Sequence, residues 1–152
     1  MSDSEKPIHE IAVNRKARHD YEIVDTLECG IALRGTEVKT LRTGKVTLEG
    51  SFVRFLDSGM SWEQAHIAEY VEGNVHNHDP ARPRRLLAHK QEARKWRQKM
   101  KEKGFTIIPL KIYFHGNHAK LLVGLARGRK RHDKRQQLRN KEARQQIRKH
   151  TR

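Results

Sequence analysis

A single cysteine, Cys29, is present in the 152-residue sequence, so no disulfide can form within one chain. A lone thiol suits a reducing compartment, and we expect a cytoplasmic protein. Aromatic residues make up only 6% of the chain, and none follows Phe114. The first residues lack the apolar run of a signal peptide, and no stretch reaches the length of a membrane span. Export and membrane insertion are therefore not expected.

Acidic residues are scarce at the end of the chain, where basic residues dominate. The formal net charge is +15, and from Arg127 onward twelve Lys or Arg face two acids, Asp133 and Glu142, which gives +10. The preceding 126 residues carry only +5. This charge indicates a polyanion as partner. Because the tail has no aromatic anchors for a membrane surface, we favour nucleic acid over lipid.

Three regions are predicted: a disordered segment over 1–13, a folded RNA-binding body over 14–126 and a basic tail over 127–152. The tail is rich in Gln, Arg, Lys, Glu and Ala, which favour helix. Its like charges repel one another, and no apolar stripe holds it against the body. We expect the tail to be disordered when free and helical on a partner.

The body has the pattern of a small β protein interrupted by helices. Strands are predicted over 20–33, either as two strands or as one bent at Gly30, and over 51–56, 61–67, 105–114 and 119–125. Helices are predicted over 36–44, with Thr36 as the cap, and over 84–103, and a loop over 69–85. This order predicts a mainly β, OB-type antiparallel barrel of about six strands with two or three flanking helices.

Alternation predicts which side chains of the last hairpin face the core. One set is expected to share a face of the first strand: Ile108, Leu110, Ile112 and Phe114. A second set is expected to share a face of the returning strand: Leu121, Val123 and Leu125. The helix over 84–103 has one apolar stripe, formed by Leu86, Ala93, Trp96 and Met100.

No residue pattern indicates catalysis. On a strand, the adjacent His19 and Asp20 would point to opposite faces and could not form a dyad. His76, His78 and Asp79 make only a weak metal pattern, and a polar loop is the better interpretation. Neither a phosphate-binding glycine loop nor a Gly-x-Ser-x-Gly elbow occurs. We therefore expect that the protein is not an enzyme and that it has no catalytic residues, no metal site and no cofactor.

Two features near the start of the body suit RNA. Arg18, His19 and Tyr21 combine phosphate donors with rings that stack on bases. Glu28 is an acid in a basic protein that is expected to bind a polyanion. A surface ion pair and acceptance of hydrogen bonds from base amino groups or a ribose 2′-OH explain Glu28 equally well.

Several stretches, in order along the chain, resemble the small protein B family of bacterial tmRNA-binding proteins. They are residues 14–21, 28–39, 41–45, 79–87, 109–110 with Tyr113, 124–130 and 133–135. The resemblance implies an OB-type barrel and a basic tail that is disordered in solution. It also implies a monomer whose partners are the tRNA-like domain of tmRNA and the ribosome. Elongation factor Tu with GTP and alanyl-tRNA synthetase would be indirect partners, and no membrane would be involved.

The resemblance also implies roles for individual residues. The positions implied on the tmRNA-binding surface are Tyr21, Glu28, Leu87, His89 and Lys120. The joint where the tail leaves the barrel would be Gly128, flanked by Arg127, Arg129 and Lys130. His19 would act on the ribosome, near the decoding centre or in accommodation, and the tail residues needed for tagging would be Asp133, Lys134 and Arg135.

A structural, ribosome-associated protein is the alternative from another class. A basic body with an extension buried in rRNA explains the charge and the tail equally well. The identity of the bound RNA separates the two hypotheses.

Overall fold

A computed structural model describes residues 6–73, 76–102, 104–128 and 141–142 of the chain. The strands are β1 (Ile8–Val13), β2 (Tyr21–Ile31), β3 (Val46–Thr47), β4 (Phe52–Leu56), β5 (Gly59–Glu63), β6 (His66–Ile67), β7 (Arg84–Leu87), β8 (Phe105–His115) and β9 (His118–Gly128). The helices are α1 (Arg15–Asp20), α2 (Gly35–Arg42) and α3 (Lys90–Lys101). The predicted tail lies almost wholly outside the described residues.

Six strands close into a ring in the order β8-β4-β5-β7-β2-β9, and β9 pairs again with β8. Every pairing in the ring is antiparallel. β1 joins β8 outside the ring, and β3 pairs with β6 in a separate two-stranded sheet. The prediction of an OB-type antiparallel barrel of about six strands with flanking helices is confirmed.

Large apolar side chains fill the barrel. Leu121, Val123 and Leu125 of β9 all belong to the core, as the alternation predicted. α3 contributes Trp96, which is 3% exposed, with Ala93 and Met100 packed beside it. Burial of each large apolar side chain contributes about 1.5–3 kcal/mol, so this core is the main source of stability.

Two β-bulges turn parts of β2 and β8 away from the interior. Val24 of β2 and Leu110 of β8 have no partner in the strand register. An extra residue reverses the alternation. Ile112 and Phe114 therefore face the core, whereas Ile108 and Leu110 pack in a second cluster with Ala17 of α1. The prediction that all four β8 residues share one face was wrong for this reason.

The bulge in β2 also decides between the two predicted forms of the 20–33 segment. β2 is one strand, and its irregularity lies at Val24 and not at Gly30. Tyr21 and Ile23 precede the bulge and pack against the second cluster. Leu27 and Cys29 follow it and belong to the barrel core.

Residues 84–87 form strand β7, and the prediction of helix from residue 84 was wrong there. Arg85 pairs with Ser61 of β5, and Leu87 pairs with Gly30 of β2. β7 thus fills the gap between β5 and β2 and closes the ring. The spacing of Leu86 to Ala93 and Trp96 is coincidental, because Leu86 reaches the core from a strand.

The predicted strand over 61–67 is divided. β5 ends at Glu63 and β6 begins at His66. Gln64 between them has a φ of 61°, a left-handed conformation that does not continue a strand. In α2, the N-cap is Arg34 and not the predicted Thr36.

The start of the chain also differs from the prediction. Residues 8–13, predicted to be disordered, form β1 on residues 111–115 of β8. Residues 15–20 form α1, so His19 and Asp20 lie on a helix and not on a strand. The barrel continues to Gly128, two residues beyond the predicted boundary at 126, because Arg127 and Gly128 pair with Glu22 and Tyr21.

Within the described residues, no helix combines the length and the apolar character needed to cross a membrane.

Candidate nucleic-acid interface

The outward side of β2, β9 and β8 presents a mixed polar and apolar surface. We call it the outer face, and it comprises Glu28, Lys111, Tyr113, Lys120 and Leu122. Glu28 pairs with Leu122, which pairs with Lys111. In the next row, Lys120 pairs with Tyr113 and, on its other side, with Gly30. Because the alternate residues of these strands fill the core, the outer-face side chains point away from it.

A hydrogen bond across the outer face orients Glu28. The hydroxyl of Tyr113 donates to Oε2 of Glu28, and Nζ of Lys111 lies 5.5 Å from the centre of the Tyr113 ring. Burial raises the pKa of Tyr113, and the hydrogen bond to Glu28 and its charge raise it further. The hydroxyl therefore remains a donor at neutral pH. Glu28 itself is exposed, so its carboxylate is held in place and open to donors from outside.

Leu87 of β7 pairs with Gly30, two residues along β2 from Glu28, and adds an apolar side chain to this side of the barrel. It is 53% exposed, although it belongs to a barrel strand. A Cβ atom at Gly30, its partner in β2, would lie 3.4 Å from Cβ of Leu87. Leu87 therefore packs directly against the backbone of Gly30, and Lys120 pairs with Gly30 on its other side. Gly30, which has no side chain, thus lies between the cation Lys120 and the apolar side chain of Leu87.

Helix α1 closes one end of the outer face. The side-chain amide of Asn14 donates to the carbonyl of Pro109 at 2.9 Å. The backbone N–H of Asn14 donates to the carbonyl of Leu110 at 2.8 Å. These bonds fasten α1 to the bulge of β8, where a proline is tolerated because a regular ladder is already interrupted. Ala17 is buried against the second cluster, which leaves Arg18 and His19 exposed.

Tyr21 lies directly after α1 and is half-buried on the same second cluster. The structure therefore brings Arg18, His19 and Tyr21 to one end of the surface that carries Glu28 and Lys120. His89 lies two residues after Leu87, where α3 begins. It is the exposed N-cap residue of α3, and its carbonyl accepts from the N–H of Ala93 at 2.9 Å.

Arg127 is not on the outer face. It has the same strand parity as the core residues of β9, and its Nε donates to Oε2 of Glu22 at 3.1 Å. The guanidinium also lies 5.9 Å from the centre of the Phe105 ring. Gly128 is the last residue of β9 and pairs with Tyr21. The remaining predicted site residues lie outside the described part of the chain: Arg129, Lys130, Asp133, Lys134 and Arg135.

The prediction of RNA-binding residues did not include Lys111 and Tyr113. Both belong to β8 after the bulge, where their parity places them outside. The available sign was Pro109, because a proline inside an otherwise regular strand marks a bulge or an edge. Shifting the alternation by one residue after Pro109 assigns Ile112 to the barrel interior and Tyr113 to the outward side of the sheet, where its ring is nevertheless buried.

The groups with metal-binding or nucleophilic potential have structural roles. His78 is 2% exposed, with Nδ1 2.9 Å from Oγ1 of Thr36 and Nε2 2.8 Å from the carbonyl of Ile67. Among the described residues, no three His, Cys, Asp or Glu side chains gather as a metal-binding group. Burial, and then the charges of Glu92 and Glu28, raise the pKa of Cys29 to about 12. Its sulfur therefore stays a thiol and not a nucleophilic thiolate.

A closed antiparallel barrel with cations, a held carboxylate and an exposed apolar side chain on one strand face belongs to the class of small RNA-binding barrels of the OB type. Residues 11–152 match the family model described as SmpB protein. The chain belongs to the SmpB family, which confirms the resemblance to small protein B.

Individual relatives agree with this assignment over most of the chain. An SsrA-binding protein of Carboxydothermus hydrogenoformans is 50% identical over 140 residues, which cover 91% of this chain and 93% of the relative. An SsrA-binding protein of Enterococcus faecalis is 47% identical over 137 residues, covering 90% and 89%. A chain in a solved structure described as "tmRNA-SmpB: a journey to the center of the bacterial ribosome" is 55% identical, with a TM-score of 0.67 over 79% of this chain and 85% of that chain.

Proposed function

We propose that the chain binds tmRNA and acts as an adaptor, not an enzyme, in trans-translation. The observation that carries this proposal is the Glu28 carboxylate, held by Tyr113 on an exposed strand face of a barrel whose relatives are SsrA-binding proteins. A carboxylate accepts hydrogen bonds from base amino groups and from the ribose 2′-OH. Lys120 beside it suits a phosphate, and Leu87 suits a sugar or base edge.

The two-part charge distribution supports a division of labour. The barrel would bind the tRNA-like domain with Tyr21, Glu28, Leu87, His89 and Lys120, and would stand in for the missing anticodon stem. The tail, which holds +10 of the +15 net charge, would enter the empty mRNA channel of a stalled ribosome and become helical along phosphates. His19 would act near the decoding centre.

The remaining assignments follow from this role. Gly128 would be the joint between barrel and tail, with Arg129 and Lys130 directly after it. Asp133, Lys134 and Arg135 would be needed for tagging. The chain would work as a monomer in the cytoplasm, and elongation factor Tu with GTP and alanyl-tRNA synthetase would be indirect partners through alanyl-tmRNA.

Sequencing the RNA that is bound to the full chain tests this function. The chain is crosslinked in cells and purified under denaturing conditions. We expect tmRNA as the dominant RNA, enriched far above its share of total RNA. Recovery of rRNA without tmRNA would support a structural ribosome-associated protein and overturn the proposal.

Glu28→Ala is expected to weaken binding of the tRNA-like domain by about 5- to 150-fold, as loss of a hydrogen bond to a charged group costs about 1–3 kcal/mol. Removing a negative charge strengthens nonspecific binding to RNA, so only a specific contact produces this loss. Glu22→Ala is the matched control, since it removes the same charge from the same strand on the side that faces Arg127. Affinity measured by fluorescence anisotropy should be unchanged or tighter for Glu22→Ala, and the same result for Glu28→Ala would contradict the specific role.

A further inference from the structure

A cleft opens where helix α3 lies beside the bulge of strand β2. We call it the bulge cleft, and it has a volume of about 360 Å³. Its walls come from four elements, β2, α3, β8 and β9. The residues that decide its chemistry are Val24, Lys95, Trp96, Lys99, Phe105 and Leu125. None of them belongs to the proposed tmRNA contact.

The floor of the bulge cleft is apolar. Leu125 is 2% exposed, Trp96 is 3% exposed, and Phe105 is half-buried. Val24 forms a wall and is 43% exposed; it is the bulged residue, which has no partner in the strand register. Bulges often occur beside functional sites, where they re-aim a side chain. An exposed valine beside a buried apolar floor is a surface that an apolar side chain of a partner can cover.

The rim of the bulge cleft is basic. Lys95 and Lys99 lie four residues apart on one side of α3, and both are exposed. Glu102 lies 4.0 Å from Lys99, but both groups are exposed and such a pair contributes little. Both ammonium groups therefore remain open to an anion from outside.

One acid, Asp25, lines the same cleft. Its Oδ2 accepts from Nε1 of Trp96 at 3.3 Å, and its Oδ1 accepts from the backbone N–H of Thr26 at 2.9 Å. Both oxygens thus accept hydrogen bonds within the chain, and this single acid faces two lysines. The rim is net positive, and it favours a ligand that carries negative charge.

The bulge cleft is poorly suited to a stacked base, although RNA is also an anion. Stacking needs an open ring face. Trp96 is almost wholly buried, and the half-buried ring of Phe105 has the guanidinium of Arg127 5.9 Å from its centre. The exposed apolar wall is the aliphatic Val24. An inserted apolar side chain therefore fits the cleft better than a base does.

The tail of the chain is a poor occupant for another reason. From Arg127 onward it carries +10, so its cations would meet Lys95 and Lys99 with like charge. A segment that combines an apolar side chain with neighbouring carboxylates matches both the floor and the rim. Such a segment must come from another protein.

We propose that the bulge cleft binds an acidic segment of a partner protein, with an apolar side chain against Val24 and Leu125 and carboxylates on Lys95 and Lys99. The proposal goes beyond tmRNA binding and does not depend on it. Val24 and Glu28 are four residues apart in β2, about 13 Å along a strand, so the cleft and the outer face are separate sites. The barrel would connect an RNA with an acidic protein segment.

The probe is the peptide Asp-Glu-Phe-Glu-Asp, blocked at both ends, and the target is the full chain labelled with ¹⁵N. The chain has two tryptophans, whose indole N–H signals report two places. Trp96 lines the cleft, whereas Trp62 is 0% exposed and donates to Oγ of Ser51 inside the barrel. In about 150 mM salt, which screens attraction to the tail, we expect a saturable shift of the Trp96 signal and none of the Trp62 signal. A peptide with Ser in place of Phe should bind about tenfold more weakly, because it buries no large apolar side chain.

One pair of single variants tests the apolar wall. Val24→Thr keeps the β-branched shape and the charge, and should weaken the peptide about threefold, since a hydroxyl replaces apolar surface that the ligand would cover. Val13→Thr is the matched control, because Val13 is 44% exposed in β1, away from the cleft. It should leave the affinity unchanged.

A pair of double variants tests the rim. Lys95→Gln with Lys99→Gln should weaken the peptide about tenfold through the loss of two ion pairs. Lys90→Gln with Arg94→Gln removes the same charge from the other flank of α3, which lines a different cleft with Phe55, and should change the affinity less than about twofold. Gln keeps the helix propensity. Equal thermal melting midpoints establish folding; if one double variant melts early, single Lys99→Gln and Arg94→Gln replace the pair.

Three results would contradict the proposal directly: no saturable shift of Trp96, equal losses in a variant and its control, or equal affinity for the peptide with Ser. If the cleft variants weakened binding of the tRNA-like domain and left the peptide unaffected, the cleft would belong to RNA and the proposal would be wrong. A Trp96 shift that appeared only after removal of residues 131–152 would show the tail as the occupant, and would overturn it as well.

Discussion

A chain that ends at Lys130 is expected to bind the tRNA-like domain of tmRNA with nearly full affinity and to support no tagging of stalled products. β9, the last strand, ends at Gly128, so the truncation leaves every strand of the barrel intact. It removes nine Lys or Arg and two acids. The outer face is untouched, whereas the part proposed to enter the mRNA channel is lost. Affinity is measured by anisotropy, and tagging by a reconstituted translation reaction on mRNA without a stop codon.

A chain with residues 131–152 in scrambled order is the matched control for charge. It keeps composition and net charge, so nonspecific attraction to RNA is preserved. We expect the scrambled chain to bind ribosomes and still tag poorly, since Asp133, Lys134 and Arg135 are displaced. If truncation abolished binding to the isolated tRNA-like domain, the division between barrel and tail would be incorrect.

Glu37→Gln is expected to destabilise the fold by about 3–5 kcal/mol, because it leaves a buried charge without its partner. Glu37 and Arg84 both have fully buried side chains, and Nε of Arg84 donates to Oε2 of Glu37 at 2.6 Å. Arg82 donates to Oε1, and so does the backbone N–H of Arg34 at 2.8 Å. Arg84 also donates to the carbonyls of Ala65 and Pro80. One carboxylate thus connects α2 with the segment that enters β7.

Urea denaturation measures this effect, and Glu69→Gln, at an exposed acid, is the control and should change stability by less than about 0.5 kcal/mol. A loss of several kcal/mol is a large share of the roughly 5–15 kcal/mol that holds a small domain together. A loss below about 1 kcal/mol for Glu37→Gln would show that the ion pairs are dispensable.

The same carboxylate predicts a pH dependence. Burial raises the pKa of Glu37, but the hydrogen bonds from Arg82, the Arg34 backbone and Arg84 outweigh burial and bring the pKa below its ordinary value of 4.5. A carboxylate with a depressed pKa in the folded state stabilises the protein above its unfolded pKa, and this stabilisation is lost as pH falls through the folded pKa. The difference in stability between the unmodified chain and Glu37→Gln should therefore be constant near neutral pH and shrink below pH 4.5. A difference that stays constant into this acid range would assign the effect to packing.

The barrel class and several of its elements were predictable because they depend on local patterns. The hairpin of β8 and β9 alternates clearly, and α3 has its apolar residues at helical spacing around Trp96. The errors arose where long-range pairing decides the structure. β7 is only four residues long and exists because β5 and β2 both need a partner. The residues of β1 form a strand for the same reason, since β8 supplies the edge.

The candidate site was predictable in part. Glu28 can be predicted as a site residue because it is an acid in a basic chain, and the family resemblance indicates Lys120 and Leu87. Tyr113, the residue that orients Glu28, is 85 residues from it in the sequence. Its side chain lies on the same side of the sheet as Glu28 because of the bulge at Leu110. A one-residue register shift moves every later side chain to the other side of the sheet, and alternation read directly from the sequence does not contain it.

β1 protects an edge of strand β8, although most of its own side chains are exposed. On the edge of β8 that faces β4, the paired residue is Ile107. Without β1, residues 111–115 of β8 would therefore leave the backbone N–H and C=O groups of this edge unpaired. Such an edge is a template on which another chain can add a strand and start aggregation. β1 covers this template, and the bond from the N–H of Gly116 to the carbonyl of Pro7 secures its entry at 2.9 Å. Shortening the chain from its first residues would therefore impair solubility before it impaired the barrel itself.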